Sequence, residues 1–530
     1  MKTGCKQSDE SMRSDRIFRL ALVVYVPVVL ILAFLFQGTR GIWQPDEGYY
    51  TGTALTMLDK GSLFIPYLGE DEIFLDKPPL IYWGIIAGLR TFGHSEFGVR
   101  FFHGLCFVLT SAVVGILSFS LFKNRWTALL SSLVYATMVI PFVASNFVTP
   151  DTILTLWTTV CALFFWKSVK STGKSRILWQ MLLCVSAGFG FLSKGPAVLI
   201  PCCGMFVFLA ARKEAFRYFL TWWSVAGILL FLFIGLGWYI WIGFRLPGAF
   251  SYFVDNQIVG RLITEKYNRN PGLQGGLIYI PVLVFGSLPW SAIWLEKLKF
   301  IKTTFLSKQW WKTLPDRPQQ MFLLSWFFVP LVILCLASSK LGLYTLPIFV
   351  PLAIATTKLW QLKAPVTDIG SLRRTLSVFS KPIILTGVWI ILLLISKLGI
   401  AYYPTCHNMK ALWAQIKHRL PTAKYELCSV NERADGLLFY GVKKIEHVTA
   451  KNVPYPTFTK TGTMLEEVQE HIEEGEDVFF LVAENDDMMQ VIKMLKNSGL
   501  QCRIIPLGYQ RAMIYPYLLK GKGENILQRI

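Results

Sequence analysis

The chain has 530 residues, 53% of them hydrophobic and only 16% charged, with a mean hydropathy of +0.46 and 18 tryptophans. This balance excludes a soluble enzyme, because the apolar residues come in runs of about 20, the length that crosses a bilayer. The net charge of +20 does not point to nucleic acid, since the basic residues lie in short clusters between the apolar runs.

Residues 1–16 form a polar tail with no small-residue cleavage site before the first run, so an uncleaved helix is expected from Arg16 onward, with its tail in the cytoplasm. Clusters at Lys123/Arg125, Lys167–Arg176, Arg212–Arg217, Lys297–Arg317 and Lys358–Lys381 each follow an apolar run and are assigned to cytoplasmic loops. The spans between them are 17–36, 97–121, 126–145, 152–168, 177–193, 196–211, 218–240, 276–295, 320–337, 341–360 and 382–401. The fold class is therefore a polytopic α-helical membrane protein of about 11 to 13 transmembrane helices, allowing for short or re-entrant pieces. An odd count from an inner amino terminus divides the chain into the tail, a membrane domain over 17–401 and an outer domain over 402–530.

The loop 37–96 is long for a connection between spans, and such loops are usually functional. It opens with Gln44-Pro45-Asp46-Glu47-Gly48-Tyr49-Tyr50 and continues to Phe74-Leu75-Asp76-Lys77-Pro78-Pro79-Leu80-Ile81-Tyr82-Trp83. Carboxylates and a lysine at a membrane rim are costly to desolvate and so are candidate functional groups. Pro78–Leu89 is apolar but barely a dozen residues, which suits a helix lying in the interface. Lys77 at its start has two readings, a contact to a lipid phosphate or simple snorkelling to the interface. By loop parity Asp46, Glu47, Asp76, Lys77, Asp151, Lys194, Arg261, Lys340 and Tyr344 all fall on one side, where they could converge on one cavity near the outer leaflet. Charges gathered at one face, with almost none at the centres of the spans, suggest chemistry there rather than a transport pathway.

Further segments follow in order: Phe92-Gly93 with Arg100, Thr149-Pro150-Asp151, Ser193-Lys194-Gly195-Pro196, Asn256 through Arg261, Leu288-Pro289-Trp290, and Ser339-Lys340-Leu341 through Tyr344-Thr345-Leu346-Pro347. Together with the two loop segments they resemble the polyprenyl-phosphate-sugar-dependent glycosyltransferases of the C superfamily over about residues 15–360. More narrowly they resemble the bacterial lipid A 4-amino-4-deoxy-L-arabinose transferases and their relatives among the protein O-mannosyltransferases. There are departures: Tyr49 stands where the family often has arginine, Asp76 where it usually has glutamate, and the region of Asn256 lacks a Glu-His pair.

The resemblance implies transfer of a sugar from a polyprenyl phosphate to lipid A, with inversion, at the periplasmic face of the inner membrane; a protein acceptor is the alternative. Breaking the sugar–phosphate bond expels a polyprenyl phosphate dianion, which calls for cations and hydrogen-bond donors. Lys77, Arg261, Tyr344 and Lys340 are the candidates, the arginine because its planar fork matches phosphate. Arg261 also fits a solvated loop charge, and Tyr344 an interfacial aromatic. Asp46, Glu47 and Asp151 are the candidate catalytic carboxylates, able to stabilise oxocarbenium character or to serve as base. Asp151 equally fits a helix N-cap. Tyr49, Tyr50 and Tyr82 are expected to bind substrate. Asp76 and His94 can contribute to a divalent metal site such as zinc, the one cofactor considered. The partners implied are the lipid-linked donor, lipid A or another surface acceptor, and membrane lipids.

Beyond residue 402 the apolar runs stop. Tyr425–Val430, Asp477–Val482 and Cys502–Pro506 read as strands and Asp487–Ser498 as an amphipathic helix, a small α/β domain without a phosphate loop or nucleophile elbow. An outer location exposes Cys406, Cys428 and Cys502 to an oxidising compartment, where one pair can bridge. Two other classes fit less of the chain: a transporter or flippase, which needs charges or broken helices in mid-membrane, and a non-catalytic scaffold, which leaves the outer acids and Lys77 without a role.

Overall fold

A computed structural model describes residues 2–69, 72–214, 218, 221–255, 270, 272–362, 372–420, 425–450, 458, 463–474, 477–483, 486–508 and 510–517. Among these, eight helical stretches are long and apolar enough to cross a membrane: Asp15–Phe34, Glu96–Phe122, Pro150–Lys170, Gly173–Ala211, Trp222–Arg245, Pro318–Leu336, Gly342–Gln361 and Ile384–Tyr402. The chain is a multi-pass membrane protein. The difference from the longer list of expected spans has identifiable causes. Gly173–Ala211 holds two expected spans, α8 (Gly173–Lys194) and α9 (Leu199–Ala211). They part at Gly195, whose φ of 62° and ψ of −140° break the helix in a conformation open to glycine.

Two other expected spans are interrupted by proline. The span expected over 126–145 is α5 (Arg125–Thr137) and α6 (Val139–Ala144), separated by an extended Met138. Pro141 lacks an amide donor and its ring meets the carbonyl four residues back, that of Thr137, where α5 stops. The indole of Trp290 donates to the Thr137 hydroxyl at 2.9 Å, so one residue of the Leu288-Pro289-Trp290 segment fastens this break. Pro289 acts alike beyond the helix Tyr279–Gly286.

The chain divides into two compact units, one of 1–37 with 101–397, the other of 38–100 with 398–530. The first is helical. Its core joins Leu32, Phe107, Tyr135, Phe142, Trp166, Phe208, Phe322, Trp326 and Phe349. Near the end of the last long helix Lys397 donates to the carbonyls of Leu32 and Ala33, at 3.3 and 3.0 Å, meeting the open carbonyl end of α1 (Lys2–Phe34).

In the second unit the long loop is ordered. It contains α2 (Asp46–Asp59), the antiparallel hairpin β1 (Tyr67–Leu68) and β2 (Glu72–Ile73), and α3 (Leu80–Phe92). At 13 residues α3 rises about 20 Å, too short to cross a bilayer core of about 30 Å. α4 (Glu96–Phe122) follows. The carboxyl-terminal part is a five-stranded sheet in the order β4-β3-β5-β7-β6, with β3 (Tyr425–Val430) parallel to β4 (Glu446–Val448) and β5 (Asp477–Ala483), and with β6 (Gln501–Leu507) and β7 (Arg511–Tyr517) antiparallel. Alternation along β5 explains its unbroken apolar run: Val478, Phe480 and Val482 pack on one face, Phe479 and Leu481 on the other. The helices Met464–Glu474 and Asp486–Asn497 cover the first face, and the helix Met409–Ile416 the second.

Cys406, Cys428 and Cys502 are all free, contrary to the expected bridge. Cys428 on β3 and Cys502 on β6 have β5 and β7 between them, so about 14 Å separates them at normal strand spacing, twice what a disulfide spans.

Candidate active site

Neighbouring carboxylates in the first turn of α2 meet opposite fates. Glu47 is 2% exposed and both its oxygens are occupied. Arg40 donates to Oε2 and Oε1 at 2.9 and 2.7 Å, Arg100 to Oε1 and Oε2 at 2.7 and 2.9 Å, and the Trp43 amide to Oε2 at 3.0 Å. Arg100 also donates to the carbonyls of Arg40 and Gly41, at 2.6 and 2.8 Å. Burial works to raise the Glu47 pKa, but the charges of Arg100 and Arg40 and their hydrogen bonds override it and bring it to about 2. Burial and then the neighbouring Arg100 lower Arg40 to about 10. Glu47, expected as a catalytic acid, is thus bound up in an ion cluster that ties the start of the loop to the start of α4.

Asp46 is exposed and accepts a hydrogen bond from the Tyr49 hydroxyl. The ring of Tyr49 lies 4.6 Å from that of Tyr50 and 5.2 Å from that of Phe74, and Tyr50 lies 6.2 Å from Tyr82. Burial, followed by the charges of Asp46 and Asp76, pushes the Tyr49 hydroxyl well up. Asp46, Tyr49, Tyr50, Asp76 and Tyr82 are therefore brought together. Lys77 is 8% exposed and donates to the carboxylate of Asp76 and, at 3.2 Å, to its carbonyl. A side chain folded back and covered in this way does not fit snorkelling.

The expected metal site needs correction. His94 Nε2 sits 2.7 Å from the Phe439 carbonyl oxygen, with its ring stacked 4.2 Å from that of Phe439, while the Asp76 carboxylate faces Lys77. Among the described residues no group of three His, Cys, Asp or Glu could hold an ion. The residues present do not fit zinc, which takes three or four protein ligands.

The helical unit holds a second cluster. Asp151 lies in the first turn of α7 (Pro150–Lys170), after an N-cap at Thr149 that makes no side-chain capping bond. Its carboxylate accepts from Lys194 at 2.5 Å, so it is an ion-pair partner rather than a cap. The Lys194 ammonium sits 4.3 Å from the centre of the Tyr344 ring. Lys340 is 1% exposed, and its ammonium meets the carbonyls of Ala337 at 2.6 Å and Asn270 at 3.5 Å, with no carboxylate partner among the described residues. Asn270 donates in turn to the Lys340 carbonyl at 3.0 Å. Asn256 through Arg261 lie outside the described residues.

Arg40 stands outside the segments singled out in the sequence, while Arg100 and Lys194 lie within them without an assigned role. All three are buried or nearly so and ion-paired, and each stands near one boundary of an apolar run, where a cation is rarely left unpaired.

A family model described as dolichyl-phosphate-mannose-protein mannosyltransferase matches residues 76–241. An undecaprenyl phosphate-alpha-4-amino-4-deoxy-L-arabinose arabinosyl transferase of Proteus mirabilis is 29% identical over 351 residues, covering 65% of this chain and 60% of the relative. One of Photorhabdus laumondii is 28% identical over 349 residues, covering 66% and 60%. The chain thus spans 60% of the length of these curated relatives. A crystal structure of ArnT from Cupriavidus metallidurans bound to undecaprenyl phosphate superimposes with a TM-score of 0.72 at 17% identity, over 93% of this chain and 97% of that one. An oligosaccharyltransferase of Archaeoglobus fulgidus aligns with a TM-score of 0.54 at 13% identity, over 88% and 69%. In fold and in sequence alike, the chain resembles the glycosyltransferases of the C superfamily that use polyprenyl-phosphate sugars, and most narrowly the aminoarabinose transferases.

Proposed function

We propose that the protein transfers a sugar from a polyprenyl-phosphate donor to lipid A at the periplasmic face of the inner membrane, with inversion at the anomeric carbon. The observation that carries this reading is Lys340, a buried ammonium answered only by main-chain carbonyls among the described residues. An uncompensated buried charge is costly, and an anionic ligand offsets that cost. Tyr344, in the 3-10 helix Gly342–Ile348 that begins two residues after Lys340, and beside Lys194, adds a hydroxyl donor. In the reaction the bond from the anomeric carbon to the phosphate oxygen breaks and its electron pair stays on the polyprenyl phosphate. The acceptor oxygen bonds to the opposite face of that carbon. Lys340, Tyr344, Lys77 and Arg261 are assigned to the anionic donor, whose charge grows as the sugar departs. Exposed Asp46 is assigned to the developing positive charge on the sugar or to orienting the acceptor. A phosphate acceptor is already anionic and needs no base. Asp151 is assigned to holding Lys194 in place.

The family match described as a protein mannosyltransferase favours a second reading, with a protein acceptor. One experiment separates the two. The purified protein is given undecaprenyl-phosphate aminoarabinose or a polyprenyl-phosphate hexose, with lipid A or peptide as acceptor, and released undecaprenyl phosphate and product mass are measured. Modified lipid A is the expected product. Glycosylated peptide alone would transfer the assignment to the second reading, and no release from any donor would end both. Lys340→Met should weaken undecaprenyl phosphate binding at least about tenfold, the loss of a charge-assisted hydrogen bond. Unchanged binding would remove Lys340 from the donor site.

A further inference from the structure

Arg433, in the segment after β3, gathers several parts of the second unit around one guanidinium. Its Nη1 and Nη2 donate to Glu72 on β2 at 3.1 and 2.7 Å, and its Nε donates to Asp435 at 2.8 Å. Its side chain is 13% exposed. Two routes lead from it to Asp46. On the first, the guanidinium carbon lies 5.4 Å from the ring of Phe74, Phe74 packs at 5.2 Å on Tyr49, and the Tyr49 hydroxyl donates to Asp46. On the second, Asp435 accepts from Gln44 Nε2 at 3.1 Å, and Gln44 Oε1 accepts from the amide of Gly436 at 3.1 Å. Gln44 stands two residues before Asp46 and lies so close over Gly48 that a Cβ there would come within 1.5 Å of its Oε1. Phe74 also fixes the hairpin, its amide donating to the Pro66 carbonyl at 2.7 Å, and it stands three residues before Lys77.

We infer that Arg433 is a positioning residue for the transfer reaction, through which the carboxyl-terminal domain sets the Asp46 carboxylate and the hairpin that leads to Lys77. The inference rests on the proposed role of Asp46. The physical reason is geometric. A planar fork shared between two carboxylates, with its face over an aromatic ring, fixes three elements in one orientation, which a lysine's point charge does not. Asp46 is itself exposed, with Tyr49 as its hydrogen-bond donor, so its aim depends on what holds Tyr49 and Gln44.

The test compares wild type, Arg433→Gln, Arg433→Lys and Phe74→Leu as purified full-length proteins, measuring kcat, donor KM and amide hydrogen exchange over 44–50 and 72–77. Misplacing a reacting group by about 1 Å can cost about a hundredfold, so Arg433→Gln is expected to lose roughly that in kcat, with donor KM within about twofold of wild type. Arg433→Lys should recover part of the loss, and both segments should exchange faster in the Gln variant. If Arg433→Gln does not fold, Phe74→Leu, which removes only the ring between Arg433 and Tyr49, should still lower kcat about tenfold on the same geometric ground. Unchanged kcat in folded variants, a loss confined to KM, or a Lys variant no better than Gln would overturn the inference. Should wild type show no transfer at all, the proposed function fails, and the exchange data still decide the positioning role: faster exchange in both segments upholds it and unchanged exchange overturns it.

Discussion

Asp46 and Glu47 are adjacent, chemically alike and in the same helical turn, yet they call for opposite experiments. Asp46→Asn should cut turnover about a hundredfold or more, the usual cost of removing one stabilising electrostatic group, while the melting temperature stays put because the side chain is exposed. Normal turnover would remove Asp46 from the mechanism. Glu47→Gln leaves Arg40 and Arg100 facing each other without their shared anion, and breaking a buried pair costs about 3 to 5 kcal/mol. Its signature is a lower melting temperature, with turnover per folded molecule retained. The pH dependence has a definite sign. Glu47 titrates near 2 in the folded protein against 4.5 ordinarily, so its stabilisation is complete above about pH 4.5 and is lost as the pH falls towards 2. Wild type should lose melting temperature across that window more steeply than Glu47→Gln. The sequence marked both acids as functional but could not separate them, because the partners that do so stand 7 and 53 residues away.

At the scale of elements, hydropathy located the long helices and the strands β3, β5 and β6, since each owes its form to a run or alternation of its own side chains. Two breaks were equally local in origin, though run length hid them, since Pro141 and Pro289 interrupt two apolar runs; the break at Gly195 falls where the expected spans 177–193 and 196–211 already part. Gly195→Ala should destabilise the protein by about 1 to 3 kcal/mol, since a side chain at positive φ is strained, and its Cβ would also come within 3.0 Å of the Tyr239 hydroxyl. A thermal melt indistinguishable from wild type would show that α8 and α9 part for another reason. The first loop was legible only as long and chemically loaded. Its organisation into α2, a hairpin and α3 rests on ion pairs such as Arg433 with Glu72, and nothing in the local pattern around residue 72 announces a partner 361 residues away.

For the whole molecule, orientation is the property that the positive-inside pattern predicts most directly. Single cysteines introduced at Gly61, Gly272 and Ser498 should react with a membrane-impermeant reagent in intact cells, and one at Lys308 should not. A protected position 498 would place the carboxyl-terminal domain inside and require an even number of crossings. By itself the sequence determined that the chain is a multi-pass membrane protein with a small α/β segment at its end, and it marked the short segments to which the proposed chemistry is assigned. These features are written in composition, run length and residue order, which act locally. Only the tertiary structure decided that the first loop shares a compact unit with the carboxyl-terminal segment, that Glu47 is sequestered while Asp46 is open, that Lys340 is buried without a carboxylate among the described residues, and that His94 faces a main-chain carbonyl. Each depends on which groups meet across long stretches of chain. A charge costs or contributes free energy according to what stands within a few ångströms of it, and that neighbour is chosen by folding.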